Sequence, residues 1–209
     1  MKRSMVASVV LLAALSLQAH GQESAIAGTV HDLEGKPISG AVVYAYERAR
    51  VIGRFVRLET RSKLDGQFLI KGVLPGSYQV HAYKEVDGYP DTFFAFFNTN
   101  KNGWKDVEVS PSRVSNVALE LGPKGAWLSV SIRDEAGNEV SGNLGFQKLN
   151  ENNPSYSESV DPGSRVLVPP IAFRIIVTAP HFAKWQSEVL KPKSGETIPV
   201  YVRLKRSSL

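Results

Sequence analysis

The sequence predicts an all-β protein built from two tandem β-sandwiches that follow a secretion signal. After the N-terminal apolar run, no stretch repeats its apolar residues at the period of a helix. Instead, short β-branched and aromatic runs alternate with Gly, Pro, Asn and Asp, which is typical of sandwiches. The same order of turn residues then recurs in the second half of the chain. The 209 residues include no cysteine, so we expect burial rather than disulfides to stabilise each core.

Residues 1–21 have the layout of a signal peptide. Lys2 and Arg3 give a positively charged start, an apolar run covers 5–17, and Ala19-His20-Gly21 is a small-x-small cleavage site. The apolar run is shorter than the ~20 residues that span a bilayer. We therefore expect cleavage before Gln22 and a secreted or periplasmic mature chain that does not span the membrane. No cysteine stands at the cleavage point for a lipid anchor, and the alternative is an uncleaved N-terminal anchor.

The first domain is predicted over residues 22–122. Its expected strands are 25–31, 40–50, 53–61, 66–72, 77–86, 92–97, 105–110 and 114–121. In the fifth of these strands Tyr78, Val80 and Ala82 alternate with Gln79, His81 and Tyr83. Because side chains of a strand point to opposite faces in turn, we expect the first set to face the core.

Tight turns separate the strands of this domain. Asp32 to Gly35 closes the first turn, because glycine tolerates a positive φ there. Asp65-Gly66 is a strong hairpin signal. Pro75-Gly76 fits the central pair of a type II turn, with proline first and glycine second.

The second domain is predicted over residues 126–206, after a short linker at 122–125. It repeats the punctuation of the first domain in a degenerate form. The matched segments are 30–35 with 132–137, Gly40 with Gly142, 75–80 with 170–175, Pro111 with Pro192, and 117–121 with 200–204. Turn residues that recur in the same order predict two tandem copies of one unit, and the shrinking separation of the matched segments indicates shorter loops in the second copy. The alternative is one larger sandwich whose turns coincide by chance.

The motif residues of the first domain resemble a known family. The residues that carry this resemblance are Gly28, Val30, Asp32, Gly35, Pro37, Gly40, Val43, Asp65, Gly66, Phe68, Leu74, Pro75, Gly76, Tyr78 and Val80. Their pattern resembles the carboxypeptidase regulatory-like domain over 25–121. The resemblance implies a Greek-key sandwich of the transthyretin-like (prealbumin-like) kind, which is grouped with carbohydrate-binding-like folds. It also implies a mostly non-catalytic role, as in that family, although the motif itself is weak for function because every matched residue shapes a turn or a core.

Sequence patterns of catalytic and metal sites are incomplete in this chain. His31 and Glu34 have the spacing of two zinc ligands, but they stand in the predicted first turn, and a zinc enzyme needs a third ligand and an open position. Residues 98–106 imitate a calcium loop in which amides replace carboxylates. We therefore expect no metal, no cofactor and no enzyme activity. A hydrolase of the transthyretin-like or carboxypeptidase-associated type is the third hypothesis for function.

One aromatic segment is the candidate ligand site. Residues 89–97 carry aromatic side chains on both faces of the predicted strand, and Trp104 follows them. One face can enter the core, whereas the other has to meet a ligand, a partner or the second domain. The candidate ligand-binding residues are Tyr89, Phe94, Phe97 and Trp104. The alternative is that these rings pack against the linker and the second domain.

The positive charge is concentrated in one segment. The formal net charge is +5, and loss of Lys2 and Arg3 leaves +3. Residues 46–63 hold six basic and two acidic side chains. Among them, Arg54, Arg57 and Arg61 form a candidate anion site, and the alternative is a solvated hairpin.

The sequence therefore leaves two main hypotheses for function. The first is a non-catalytic envelope module that binds a glycan through the aromatic segment. The second is a protein–protein scaffold of the envelope in which the same rings form an interface. The expected partner is a glycan or an envelope protein, and the signal peptide argues against nucleic acid as a partner. Exposure of the rings distinguishes the two hypotheses.

Overall fold

The computed structural model describes residues 23–47, 57–97, 105–152, 154 and 156–207. The predicted signal peptide, 1–21, lies outside these residues. In the described part, no helix is both long enough and apolar enough to traverse a bilayer.

The described residues form fourteen strands. They are Ala25–His31 (β1), Val42–Glu47 (β2), Leu58–Arg61 (β3), Gln67–Lys71 (β4), Gly76–Tyr83 (β5), Lys105–Val109 (β6), Val114–Glu120 (β7), Ala126–Asp134 (β8), Gly142–Lys148 (β9), Tyr156–Val160 (β10), Arg165–Val168 (β11), Phe173–Thr178 (β12), Trp185–Gln186 (β13) and Thr197–Leu204 (β14). Short 3-10 turns occupy Glu85–Asp87 and Thr92–Phe97.

The strands form four sheets that repeat one topology. The first half contains the sheets β4-β1-β7 and β3-β2-β5-β6, and the second half contains β11-β8-β14 and β10-β9-β12-β13. In each half the first strand pairs in parallel with the last long strand, β1 with β7 and β8 with β14. The prediction of an all-β fold with two tandem sandwiches is confirmed. The exact domain limits, 22–122 and 126–206, stay a prediction.

Each half has its own apolar core. Tyr78, Val80 and Ala82 lie in the first core, as their alternation predicts. The second core is formed from β8, β9, β12 and β14 and includes Phe146 and Phe173. It also contains Phe94, which comes from the first half of the chain.

The turns that follow the first strand of each half are stabilised by the same hydrogen bonds. The Gly35 amide donates to the Asp32 carbonyl at 3.0 Å, and the Gly137 amide donates to the Asp134 carbonyl at 3.1 Å. Each aspartate side chain also accepts a backbone amide four residues later. This match confirms the predicted equivalence of 30–35 and 132–137.

The other two predicted turns need correction. Asp65-Gly66 does form a tight turn, in which the Gly66 amide donates to the Lys63 carbonyl at 2.9 Å. However, β3 and β4 lie in different sheets, so this turn crosses between sheets and is not a hairpin. The type II turn at Pro75-Gly76 is wrong, because Gly76 opens β5 with a φ of 158°, which is close to extended.

The strand predicted at 92–97 is also wrong, because this segment forms the 3-10 turn. Asp91 provides the physical reason. Its carboxylate accepts the Phe93 amide at 2.8 Å, and its carbonyl accepts the Phe94 amide at 3.0 Å. An aspartate that binds the amides following it starts a turn or a helix. The chain therefore folds back over the sheet instead of extending it.

Candidate functional site

The outer face of the first sandwich carries a row of aromatic side chains. Tyr44 and Tyr46 of β2 point away from the core, and His81 of β5 lies opposite Tyr44 in the strand register. The His81 ring stacks on Tyr46 with centroids 5.4 Å apart and an interplanar angle of 14°. It also meets Tyr44 at 5.5 Å. This face of the sheet is therefore covered, since His81 is only 1% exposed.

The segment after the 3-10 turn Glu85–Asp87 packs over this face of the sheet. Phe93 packs edge-on against His81, with ring centroids 5.3 Å apart, and contacts Tyr46 at 5.9 Å. The Ala82 amide donates to the Thr92 hydroxyl at 2.9 Å. Burial lowers the pKa of His81 to about 4, so the imidazole is neutral at neutral pH.

The same segment joins the two sandwiches. Phe93 meets Tyr156 of β10 at 5.4 Å. Phe94 meets Tyr156 at 4.5 Å and Phe146 of β9 at 5.6 Å, in both cases edge to face. We call the set Tyr44, Tyr46, His81, Phe93, Phe94, Phe146 and Tyr156 the aromatic junction. It forms a continuous series of ring contacts from β2 of the first sandwich to the core of the second.

A carboxylate lies within the aromatic junction. Asp91 accepts a hydrogen bond from the Tyr44 hydroxyl at 2.7 Å. Burial raises the pKa of Asp91 from 3.8 to about 6, although the hydrogen bonds from Phe93 and Tyr44 and the charge of Arg57 oppose this rise. Burial also raises the pKa of Tyr44, and the Asp91 charge adds to that effect. Tyr44 is therefore the proton donor in this pair.

A second carboxylate approaches from the other sandwich. The Tyr156 hydroxyl donates to Glu158 at 3.2 Å. Burial raises the pKa of Glu158, and the negative charges of Glu85 and Asp91 raise it further. Three acidic groups from both sandwiches thus influence one another at the junction.

The linker forms further contacts between the halves. The Gly125 amide donates to the Gly88 carbonyl at 2.7 Å. A Cβ atom on Gly125 would lie 2.3 Å from the Val168 carbonyl oxygen and 2.7 Å from Pro90 Cγ. Only glycine fits this position, so the backbone at the start of the second sandwich packs directly on Pro90.

The predicted aromatic ligand residues are divided between the two cores and the residues outside the description. Tyr89 is 9% exposed and belongs to the first core, and Phe94 is 7% exposed and belongs to the second. The side chain of Phe97 and the whole of Trp104 lie outside the described residues. A role for these four residues in ligand binding stays a prediction.

The predicted anion site has two described members, because Arg54 lies outside the described residues. The Arg57 guanidinium lies 3.9 Å from the centre of the Tyr44 ring, donates to the Tyr83 hydroxyl at 3.3 Å and pairs with Glu59 at 3.1 Å. Arg61 donates to the Gly40 carbonyl at 3.3 Å. Both arginines thus contact other groups of the first sandwich, and anion binding stays a prediction.

Metal chemistry receives no support from the described residues. They contain no group of three or more His, Asp or Glu side chains placed to hold an ion. His31 ends β1 and Glu34 stands in the turn that follows, and His31 Nδ1 lies 3.0 Å from the Asp32 carbonyl oxygen. The loop that imitates a calcium site, 98–106, is described only from Lys105 onward.

Sequence reasoning missed most of the aromatic junction. Tyr44 and Tyr46 stand on a predicted strand, whereas Tyr156 stands on a segment for which no strand was predicted. Their alternation with neighbouring residues was the signal that could have shown which face of the strand they occupy. Pro90-Asp91 was the signal for the turn, since aspartate after proline favours a turn start. Taken together, the junction offers packed rings and hydrogen-bonded carboxylates. This chemistry suits a stable contact between domains better than a reaction.

The comparisons with known proteins agree with the first sandwich. The family described as carboxypeptidase regulatory-like domain matches residues 25–122, which confirms the resemblance over that part of the chain. No curated protein matches the chain.

Several solved structures are similar to the chain at low identity. The Bacillus anthracis TIE protein has 13% identity and a TM-score of 0.36, with 88% of this chain and 34% of that chain covered. A streptococcal ancillary pilin has 11% identity and a TM-score of 0.39, with 91% and 64% covered. A minor pilin of Streptococcus agalactiae has 12% identity and a TM-score of 0.34, with 88% and 97% covered. The chain thus spans about a third of the TIE protein and somewhat under two thirds of the streptococcal ancillary pilin.

Proposed function

We propose that this chain is a non-catalytic scaffold of the cell envelope, in which the aromatic junction holds two β-sandwiches as one rigid body. A single observation carries the proposal. Phe94, in the segment that follows the first sandwich's central strand, lies in the core of the second sandwich at 7% exposure. Because one half supplies this ring to the core of the other, the contact fixes the orientation of one sandwich relative to the other.

The energy available from this contact is large enough to matter. Truncation of a core phenylalanine to alanine costs about 3–5 kcal/mol. Edge-to-face pairs such as those of Phe94 with Phe146 and Tyr156 add about 0.5–1.5 kcal/mol each beyond burial. Interfaces between domains that lack such anchoring allow relative motion by default. Phe94 therefore supports a fixed arrangement.

The exposure of the rings favours a scaffold over a glycan platform in segment 89–97. A stacking platform needs exposed, coplanar rings, whereas Tyr89 and Phe94 are 9% and 7% exposed. Of the four predicted glycan-binding residues, Tyr89 and Phe94 are thus buried. Glycan binding stays a second proposal for Phe97 and Trp104 alone, because their side chains lie outside the described residues. In the scaffold, the rings are structural and the partner is an envelope protein.

The envelope location is supported by the predicted signal peptide at 1–21 and by the regulatory-like domain at 25–122, whose resemblance implies a mostly non-catalytic module. A rigid pair of sandwiches has a clear use there. It fixes the distance and the orientation between surfaces that bind different partners. A flexible pair would leave both variable.

Calorimetry of the mature chain tests the rigid pair. Wild type should unfold in one cooperative transition, and Phe94→Ala should unfold in two separate transitions, with the second sandwich melting first. The matched control is Val86→Ala in the same region, because Val86 is 90% exposed and its truncation removes no packing. Two separate transitions in wild type, or one unchanged transition in Phe94→Ala, would contradict the proposal.

A further inference from the structure

The outer face of β8 and β14 in the second sandwich carries a highly exposed tyrosine ring among polar groups. Tyr201 of β14 is 77% exposed, whereas tyrosine is intermediate in burial on average. It lines an open groove of about 500 Å³ together with Ser131, Arg133 and Arg203. The groove lies on the sheet opposite to the one that carries the aromatic junction.

Two arginines lie on one side of this tyrosine. Arg203 and Arg133 occupy facing positions of the parallel pair β14 and β8, two residues beyond the facing pair Tyr201 and Ser131. Arg133 donates to Glu139 at 2.9 Å, and Arg203 donates to the Glu135 carbonyl at 2.7 Å. Hydrogen bonds therefore hold both guanidinium groups near the groove, and each group has further N–H donors.

The first sandwich shows that the fold does not require these residues. Its strands β7 and β1 pair in the same parallel register, with Ala118 facing Thr29 and Glu120 facing His31. These positions correspond to the pairs Tyr201–Ser131 and Arg203–Arg133, because 117–121 and 200–204 are the matched segments. The same architecture is thus built with alanine and glutamate in place of tyrosine and arginine.

We propose that the groove on β8 and β14 binds a neutral polysaccharide. A sugar ring presents an apolar face that stacks on an exposed aromatic ring such as Tyr201. A sugar hydroxyl both donates and accepts hydrogen bonds, so it needs both kinds of group nearby. Arg133 and Arg203 supply donors, and the carboxylates of Asp134 and Glu135 supply acceptors at the rim.

The balance of charge identifies the class of glycan. Asp134 stays ionised, because hydrogen bonds from the Asn138 side chain and backbone lower its pKa. A polyanion would meet the carboxylates of Asp134, Glu135 and Glu139 as well as the two arginines. A neutral chain meets no such repulsion.

A protein partner fits this groove less well. The centre of a protein interface is depleted of charged residues and rich in several apolar or aromatic side chains. This groove has a single exposed ring and is otherwise lined by charged groups, small side chains and backbone. The composition therefore favours a ligand that consists mainly of hydroxyl groups.

Affinity electrophoresis of the mature chain tests the proposal in gels that contain amylopectin, mixed-linkage β-glucan or xylan. Mobility is normalised to a gel without polymer. We expect at least one of these polysaccharides to retard wild type, and Tyr201→Ala with Arg203→Glu to weaken the retardation at least about tenfold. These substitutions copy Ala118 and Glu120 of the matched face, so the melting temperature should hold.

Three results would overturn the proposal. The first is a wild type that none of the three polysaccharides retards. The second is a folded Tyr201→Ala, Arg203→Glu variant that is retarded as strongly as wild type. The third is equal retardation by polygalacturonate or polyglutamate, because the groove would then recognise charge alone. The site is separate from the aromatic junction, so Phe94→Ala should leave the retardation unchanged while the domain pair loosens.

Discussion

The hydroxyl of Tyr44 donates a 2.7 Å hydrogen bond to the carboxylate of Asp91, and this contact fastens the segment that leaves the first sandwich to the face of β2. Tyr44 is buried at 5% exposure, so its hydroxyl has little access to water. The same aspartate accepts the amide of Phe93. One carboxylate thus holds both the sheet and the turn that delivers Phe94 to the second core.

Loss of the Tyr44 hydroxyl should destabilise the chain. Tyr44→Phe keeps the ring but leaves the half-buried Asp91 carboxylate with one hydrogen bond fewer, which costs about 1–3 kcal/mol. The control is Tyr46→Phe, because Tyr46 stacks in the same row and its hydroxyl makes no hydrogen bond in the described part of the chain. Urea unfolding should show a lower midpoint for Tyr44→Phe only. Equal midpoints for the two variants would show that the Tyr44–Asp91 bond contributes nothing.

Asp91 and His81 should have opposite effects on stability as the pH falls. The pKa of Asp91 is raised from 3.8 to about 6, so the folded state binds the extra proton and stability rises as pH falls through 6. The pKa of His81 is lowered from 6.5 to about 4, so the unfolded state binds the extra proton and stability is lost as pH falls from 6.5. The two effects overlap between pH 4 and 6 and largely cancel in wild type.

Asp91→Asn should therefore make the protein sensitive to acid. With the aspartate removed, the His81 effect is opposed, among the described residues, only by the raised pKa of Glu158, to which Asp91 no longer contributes. The free energy of unfolding should therefore drop by on the order of 1–2 kcal/mol between pH 7 and pH 5. Chemical denaturation at the two pH values measures this drop, with Asp87→Asn as the exposed control. A variant whose stability changes with pH no more than wild type would refute the assignment of opposing protons.

Two glycines separate conformational cost from steric clash. Gly66 and Gly35 have φ values of 76° and 79°, so alanine is strained at both by about 1–2 kcal/mol. A Cβ on Gly66 would lie 2.5 Å from the Val30 carbonyl oxygen, whereas a Cβ on Gly35 meets nothing within 4 Å. Gly66→Ala should thus lower the thermal midpoint clearly more than Gly35→Ala. Equal midpoints would mean that the crossover turn adjusts without cost.

Export should remove the first 21 residues. The basic start, the apolar run of 5–17 and the small residues Ala19 and Gly21 motivate this expectation. N-terminal sequencing of the exported protein should begin at Gln22 or within a few residues of it. A cytoplasmic protein that retains Met1 would contradict the envelope location.

Local patterns predicted the parts of the fold that depend on neighbours in sequence. The alternation of Tyr78, Val80 and Ala82 was enough to place them in the core, and the Asp32 and Asp134 turns followed from their glycines. Repetition of these turns also predicted the second sandwich. In each case the physical cause acts over a few residues, so a single sequence contains it.

The aromatic junction could not be derived in this way. His81 belongs to the face of β5 that alternation assigns to solvent, yet it is buried because the distant segment 91–94 folds over it. The destination of Phe94 depends on where β9 and β10 lie, which no local pattern specifies. The groove around Tyr201 likewise needs the register of β8 and β14 before its side chains can be placed together.

Residual dipolar couplings of the backbone amides test the rigid scaffold most directly. In the mature wild-type chain, couplings from both sandwiches should fit a single alignment tensor, because Phe94 fixes one sandwich relative to the other. In Phe94→Ala the two sandwiches should give tensors of different magnitude, as independently moving bodies do. A wild type whose sandwiches already require two different tensors would contradict the account.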